Sequence, residues 1–178
     1  YRERPILNFF ELVGGSVRVT RELKERDTVS WEKGKTITVL ETPGHSLGSI
    51  SLFFEEEGAL FTGDAVPAAA AIPIYADPRA SIESIQRLAK VTGVKHMFSS
   101  WHEPISGSQA QRTMDEGIHY LERIHMAVKK VSINSPLPDS LDLSRNVLKE
   151  LGLPEMMANP LTARSFKASL KASDKEYS

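Results

Sequence analysis

The residues of this chain whose types and spacing suit chemistry gather in one stretch, Glu41 to Asp64, which reads ETPGHSLGSISLFFEEEGALFTGD. Pro43 and Gly44 break the chain after the apolar run Ile37, Val39, Leu40, so His45 is expected on a tight turn at the end of a strand. Ile50, Leu52 and Phe54 alternate with Ser49, Ser51 and Phe53, Gly58 turns the chain, and Ala59 to Thr62 returns as a second strand. That strand ends in Gly63-Asp64, where a glycine permits close backbone approach and the aspartate leaves a carboxylate at the sheet rim. An imidazole and a carboxylate at two such strand ends are what a metal site on a rigid sheet needs.

The wording TPGHSxGSxS followed by FTGD is similar to the metallo-β-lactamase superfamily of metallohydrolases, which includes glyoxalase II-like thioesterases, lactonases and β-lactamases. The similarity runs from about Val17 to about Gly107. It implies that His45 is a ligand of one metal, that Asp64 bridges two, and that His102, after a later strand, binds the second. His102 departs from the family wording, since Trp101 stands where many members have glycine. The family's earlier HxHxDH motif does not occur in these 178 residues, whose first histidine is His45.

Composition sets the outer limits. With 40% hydrophobic and 25% charged residues, the chain can form one ordinary globular core. A formal net charge of -1 gives no electrostatic case for a nucleic-acid partner. The absence of cysteine excludes disulfides, thiolate ligands and a cysteine nucleophile, and it accords with a reducing, cytoplasmic setting. No apolar run approaches the roughly 20 residues of a membrane span, so no membrane association is expected. A start at Tyr1 is what a processed or excised segment looks like.

The remaining elements must carry those strand ends. Ile6 to Val13 is apolar, Val17 and Val19 alternate like a half-buried strand, and Asp27 to Trp31 and Lys35 to Leu40 are strand candidates around the Lys33-Gly34 turn. After Asp64 comes AVPAAAAIPIYADP, whose three prolines predict a loop. Tyr75 on that loop either contacts substrate or anchors the loop on the sheet. Ser81, as a cap, opens a helix to Val91, and Val94 to Ser100 is a strand. Met114, Ile118, Leu121, Ile124 or His125, Val128 and Val131 mark the core stripe of a helix over Gln109 to Val131. His96 reads as structural, while His119 and His125 point to different faces. Beyond Pro136 and Pro138, Asp139 or Ser140 caps a further helix through Leu151, and Asn159-Pro160 opens a last one to about Ala172. On the last helix Arg164, Lys167 and Lys171 share a face, which is either an anion site or a solvated basic surface.

The sequence therefore predicts an α/β fold, with helices on a mainly antiparallel sheet, and the resemblance implies that residues 1–135 are equivalent to the C-terminal half of an αββα domain. Residues 136–178 form a helical C-terminal extension. The resemblance implies a metal-dependent hydrolase of a small ester or thioester, with two divalent ions in the complete domain, usually zinc and in some members iron or manganese. In that chemistry a metal-bound hydroxide attacks a carbonyl, oriented by Asp64, with Glu103 or Ser46 fixing the imidazoles. The alternatives are a lactonase or β-lactamase-like enzyme, or a degenerate domain with a structural or oligomerisation role. The given chain, lacking HxHxDH, is expected to be an incomplete hydrolase whose uncovered apolar surface favours self-association.

Overall fold

The computed structural model describes residues 14–68, 71–101, 103–134 and 140–174. The apolar stretch Ile6 to Val13 and residues 135–139, which include Pro136, Pro138 and Asp139, lie outside them. Six strands form one sheet in sequence order: β1 (Thr28–Glu32), β2 (Lys35–Glu41), β3 (Ile50–Phe54), β4 (Ala59–Gly63), β5 (His96–Ser99) and β6 (Ile105–Ser106). All neighbours are antiparallel except β4 and β5. That parallel pair is joined by α1 (Pro78–Leu88), since parallel neighbours need a crossover. Three helices follow: α2 (Gly107–Asn134), α3 (Ser140–Glu150) and α4 (Pro160–Asp174). The α/β class and the mainly antiparallel sheet read from the sequence are the observed ones.

Cross-strand register assigns the two faces of the sheet. Phe53, Leu60, Met97 and Ile105 are successive partners and therefore share one face. They join a single hydrophobic cluster with Ile85 and Leu88 of α1, Leu121 and Ile124 of α2, Leu143 and Leu148 of α3, and Phe166 of α4. Each such side chain contributes about 1.5–3 kcal/mol by leaving water. The C-terminal helices therefore share the core of the sheet. The stripe expected on α2 is present, with Met114, Leu121, Ile124 and Val128 buried.

The opposite face carries an aromatic ladder. Trp31 meets Phe54 edge-on at 5.6 Å, Phe54 meets Phe61 at 5.2 Å, and Phe61 stacks on Phe98 at 4.6 Å between centroids. Trp31 remains 46% exposed and Phe61 41%. Phe53 on one face and Leu52 and Phe54 on the other make β3 apolar on both sides, as in a strand at the centre of a layered fold.

Two expectations are corrected. Val17 and Val19 form no strand; they lie in irregular chain, 87% and 72% exposed. Among the described residues they have no pairing strand to satisfy an extended backbone. Helix α1 starts before Ser81, with Asp77 as its cap and Pro78 in the first turn. Asp77 Oδ1 accepts from the amides of Arg79 at 2.9 Å and Ala80 at 3.1 Å, an arrangement worth about 1 kcal/mol. Ser81 instead sits buried inside the helix, its Oγ donating to the Asp77 carbonyl.

Candidate metal centre

His45 stands on the turn between β2 and β3, and α1 straps that turn from one side. Ser84 Oγ donates to the Pro43 carbonyl at 2.8 Å, and the Arg87 guanidinium donates to the Glu41 carbonyl at 2.8 Å. The Gly44 carbonyl accepts from the amides of Ala76 at 2.7 Å and Asp77 at 3.1 Å. Thr42 and Ser51, both buried, pair their hydroxyls at 3.1 Å beneath the turn. Gly44, with φ 144°, is itself buried against Ser81. Each hydrogen bond contributes about 1 kcal/mol, and together they fix one position for the imidazole.

The ring is oriented as well as placed. His45 Nδ1 lies 2.8 Å from the Ile74 carbonyl. A carbonyl only accepts, so Nδ1 carries a proton, and in the neutral ring the lone pair is on Nε2. That free nitrogen faces Asp64, with 3.8 Å between Nε2 and Oδ2. The separation is too long for a hydrogen bond. Two donors of one zinc at ligand distances of ~2.1 Å would sit roughly 3.4 Å apart, so the observed separation is compatible with both residues holding one ion.

Asp64 is held at the rim by its neighbours. Gly63 ends β4 at φ 53°, a left-handed conformation costly for other residues, and its carbonyl accepts from Ser100 of the turn after β5. The Asp64 side chain is 39% exposed and that of His45 32%. Together with Pro67, Ile74 and Leu121 they line a small cleft. The carboxylate is therefore open to solvent on one side and walled by apolar groups on the other.

The chemistry of this donor set fits part of a metal site. A neutral imidazole nitrogen and a carboxylate suit zinc, iron or manganese, and a backbone carbonyl on Nδ1, as Ile74 provides, is the kind of outer partner that would fix a ligating histidine. Among the described residues no group of three or more His, Asp or Glu gathers to complete it. His102 lies outside the described residues. His96 is exposed on β5 and His119 is exposed on α2, its Nδ1 on the Asp115 carbonyl.

Tyr75 occupies the anchoring position. It is 3% exposed, its amide donates to Ser165 Oγ at 3.0 Å, and its hydroxyl pairs with Ser169 Oγ at 2.9 Å, both on α4. Burial holds the phenol well above its usual range. Tyr75 also lines the cleft beside His45. The residue that orients His45 is Ile74, next to it, and not Ser46, whose hydroxyl pairs with Ser49. A backbone carbonyl has no side-chain signature, so the only sequence signal was the loop leaving Asp64. Glu103 is exposed in the turn before β6.

A metallo-beta-lactamase superfamily model matches residues 5–101, more than half of the chain, and the match takes in the His45 turn and Asp64. This chain belongs to the metallo-beta-lactamase superfamily. A hydroxyacylglutathione hydrolase of Hyphomonas neptunium is 28% identical over 143 residues, covering 78% of this chain and 56% of that protein. Among solved structures, a metallo-beta-lactamase family protein of Thermus thermophilus matches at TM-score 0.64 and 23% identity, over 87% of this chain and 49% of that one. A beta-lactamase domain protein of Burkholderia ambifaria matches at TM-score 0.68 and 17% identity, over 89% and 48%. The two structures share the superfamily fold with this chain, which spans about half the length of the proteins it matches. Among the described residues no helix is long and apolar enough to cross a membrane.

Proposed function

We propose that this superfamily member supplies the histidine and aspartate half of a hydrolytic metal centre in an enzyme acting on a small ester or thioester. The observation that carries this is His45, whose Nδ1 is pinned to the Ile74 carbonyl while Nε2 faces Asp64 at 3.8 Å. His45 and Asp64 would hold a divalent ion, with His102 as the expected third donor. When bound, such an ion supplies Lewis acidity toward a carbonyl oxygen and acidifies a bound water.

The chain's own residues do the rest. The Ile74 carbonyl keeps the proton on Nδ1, so His45 stays a donor through Nε2. Asp64 offers carboxylate charge at an open rim, and Pro67, Ile74 and Leu121 limit water on the closed side. The thioester preference is supported by the hydroxyacylglutathione hydrolase relative. Two placed donors and His102 fall short of a two-metal set, so the chain alone is not expected to turn over. The ladder of Trp31, Phe54 and Phe61, exposed at Trp31 and Phe61, supports a further layer, or a second copy, against that face of the working enzyme.

The test compares this chain alone with a fusion that places an HxHxDH segment of the superfamily type ahead of Tyr1. Both are assayed on an S-acyl glutathione thioester, a lactone and a β-lactam. Turnover is expected only in the fusion, with the thioester favoured. Full turnover by the chain alone, or a clear lactone or β-lactam preference, contradicts the reading.

A further inference from the structure

Between α1 and α4 lies a groove of about 620 Å³, lined by Arg79 and Glu83 from one helix and Arg164, Lys167 and Lys171 from the other, with Asp77 at its edge. It shares no lining residue with the cleft at His45 and Asp64. Four cations thus face two carboxylates in a chain whose net charge is -1. Asp77 is committed to the Arg79 and Ala80 amides, which leaves Glu83 as the one carboxylate of the groove not engaged in capping. Arg79 is drawn across the groove, its guanidinium donating to the Ala172 carbonyl at 2.6 Å. Arg164, Lys167 and Lys171 make no ion pair among the described residues.

We propose that this groove binds a small multiply charged anion, of the phosphate-ester or polycarboxylate kind. Residues 164, 167 and 171 recur at three and four along α4, so their side chains stand on one face over the groove. Gathering three like charges there is unfavourable until a counter-charge enters. A planar guanidinium with two flanking ammonium groups suits two or more oxyanion groups of one ligand. The volume falls within the range of small-molecule sites, roughly 300–1,000 Å³. The α1 amides add little, because Asp77 already takes them. This site stands apart from the hydrolytic reading and does not depend on it.

The test is titration of the full chain with inorganic pyrophosphate and, separately, citrate, followed by calorimetry and by amide shifts of α4. Saturable binding of pyrophosphate, citrate or both is expected, the stronger of the two identifying the anion class. The double variant Arg164→Gln, Lys167→Gln should weaken it at least tenfold, with unchanged circular dichroism because both side chains are exposed. Lys33→Gln, on the β1–β2 turn, should leave it unchanged. No saturable binding of either anion, equal loss with Lys33→Gln, or shifts confined to residues away from α1 and α4 would overturn the assignment.

Discussion

Asp64→Ala in the hydrolytically competent fusion is expected to reduce turnover by about a thousandfold or more while leaving the fold intact. A ligand carboxylate that also orients the attacking water belongs to the reacting centre, where removal of one group costs about 10²–10³ or more in rate. Its structural role is small, because the side chain is 39% exposed and the titratable group close to it among the described residues is the His45 imidazole, at 3.8 Å. A surface substitution of that kind changes stability by about 0.5 kcal/mol or less. Turnover, zinc content and thermal unfolding of the variant check this together. Normal turnover with normal zinc content would remove Asp64 from the site.

Gly44→Ala is expected to cost about 3 kcal/mol or more and to lower the unfolding temperature by roughly 10 °C. A Cβ at Gly44 would lie 2.2 Å from Ser81 Oγ, 2.5 Å from Ser81 Cα and 2.6 Å from its amide nitrogen. Two of these are backbone atoms of α1, so rotating one side chain does not relieve the clash. The φ of 144° is in addition one that L side chains rarely adopt. Either the PGH turn or α1 must move, and His45 moves with the turn. Gly48→Ala is the control, in the same turn but with open space around its Cβ position, and it should fall within about 0.5 kcal/mol of the parent. If both variants melt alike, the close packing of α1 on the turn is not what holds it.

Local chemistry made much of this legible in the sequence. The PGH turn, the Gly58 hairpin and the Gly63-Asp64 strand end each use residues whose backbone preferences point one way, and all three are observed. The apolar stripe of α2 was legible for the same reason, since its repeat suits only a helix. Val17 and Val19 misled because alternation signals a strand only where a partner supplies the hydrogen bonds. Ser81 misled because two good caps stood four residues apart, and Pro78 favoured the earlier one by presetting the first helical φ. The anchoring of Tyr75 on Ser165 and Ser169 joins residues 90 and 94 apart in sequence, a distance no local pattern reports.

What most directly tests the pairing of His45 with Asp64 as metal donors is the imidazole nitrogen spectrum of the chain during zinc titration. Without zinc, His45 should carry its proton on Nδ1, held by the Ile74 carbonyl. With zinc, Nε2 of His45 should shift while Nδ1 keeps its proton, and Asp64→Ala should weaken that response about tenfold or more. A proton on Nε2 in the zinc-free chain, or a His45 resonance unmoved by zinc, would contradict the account.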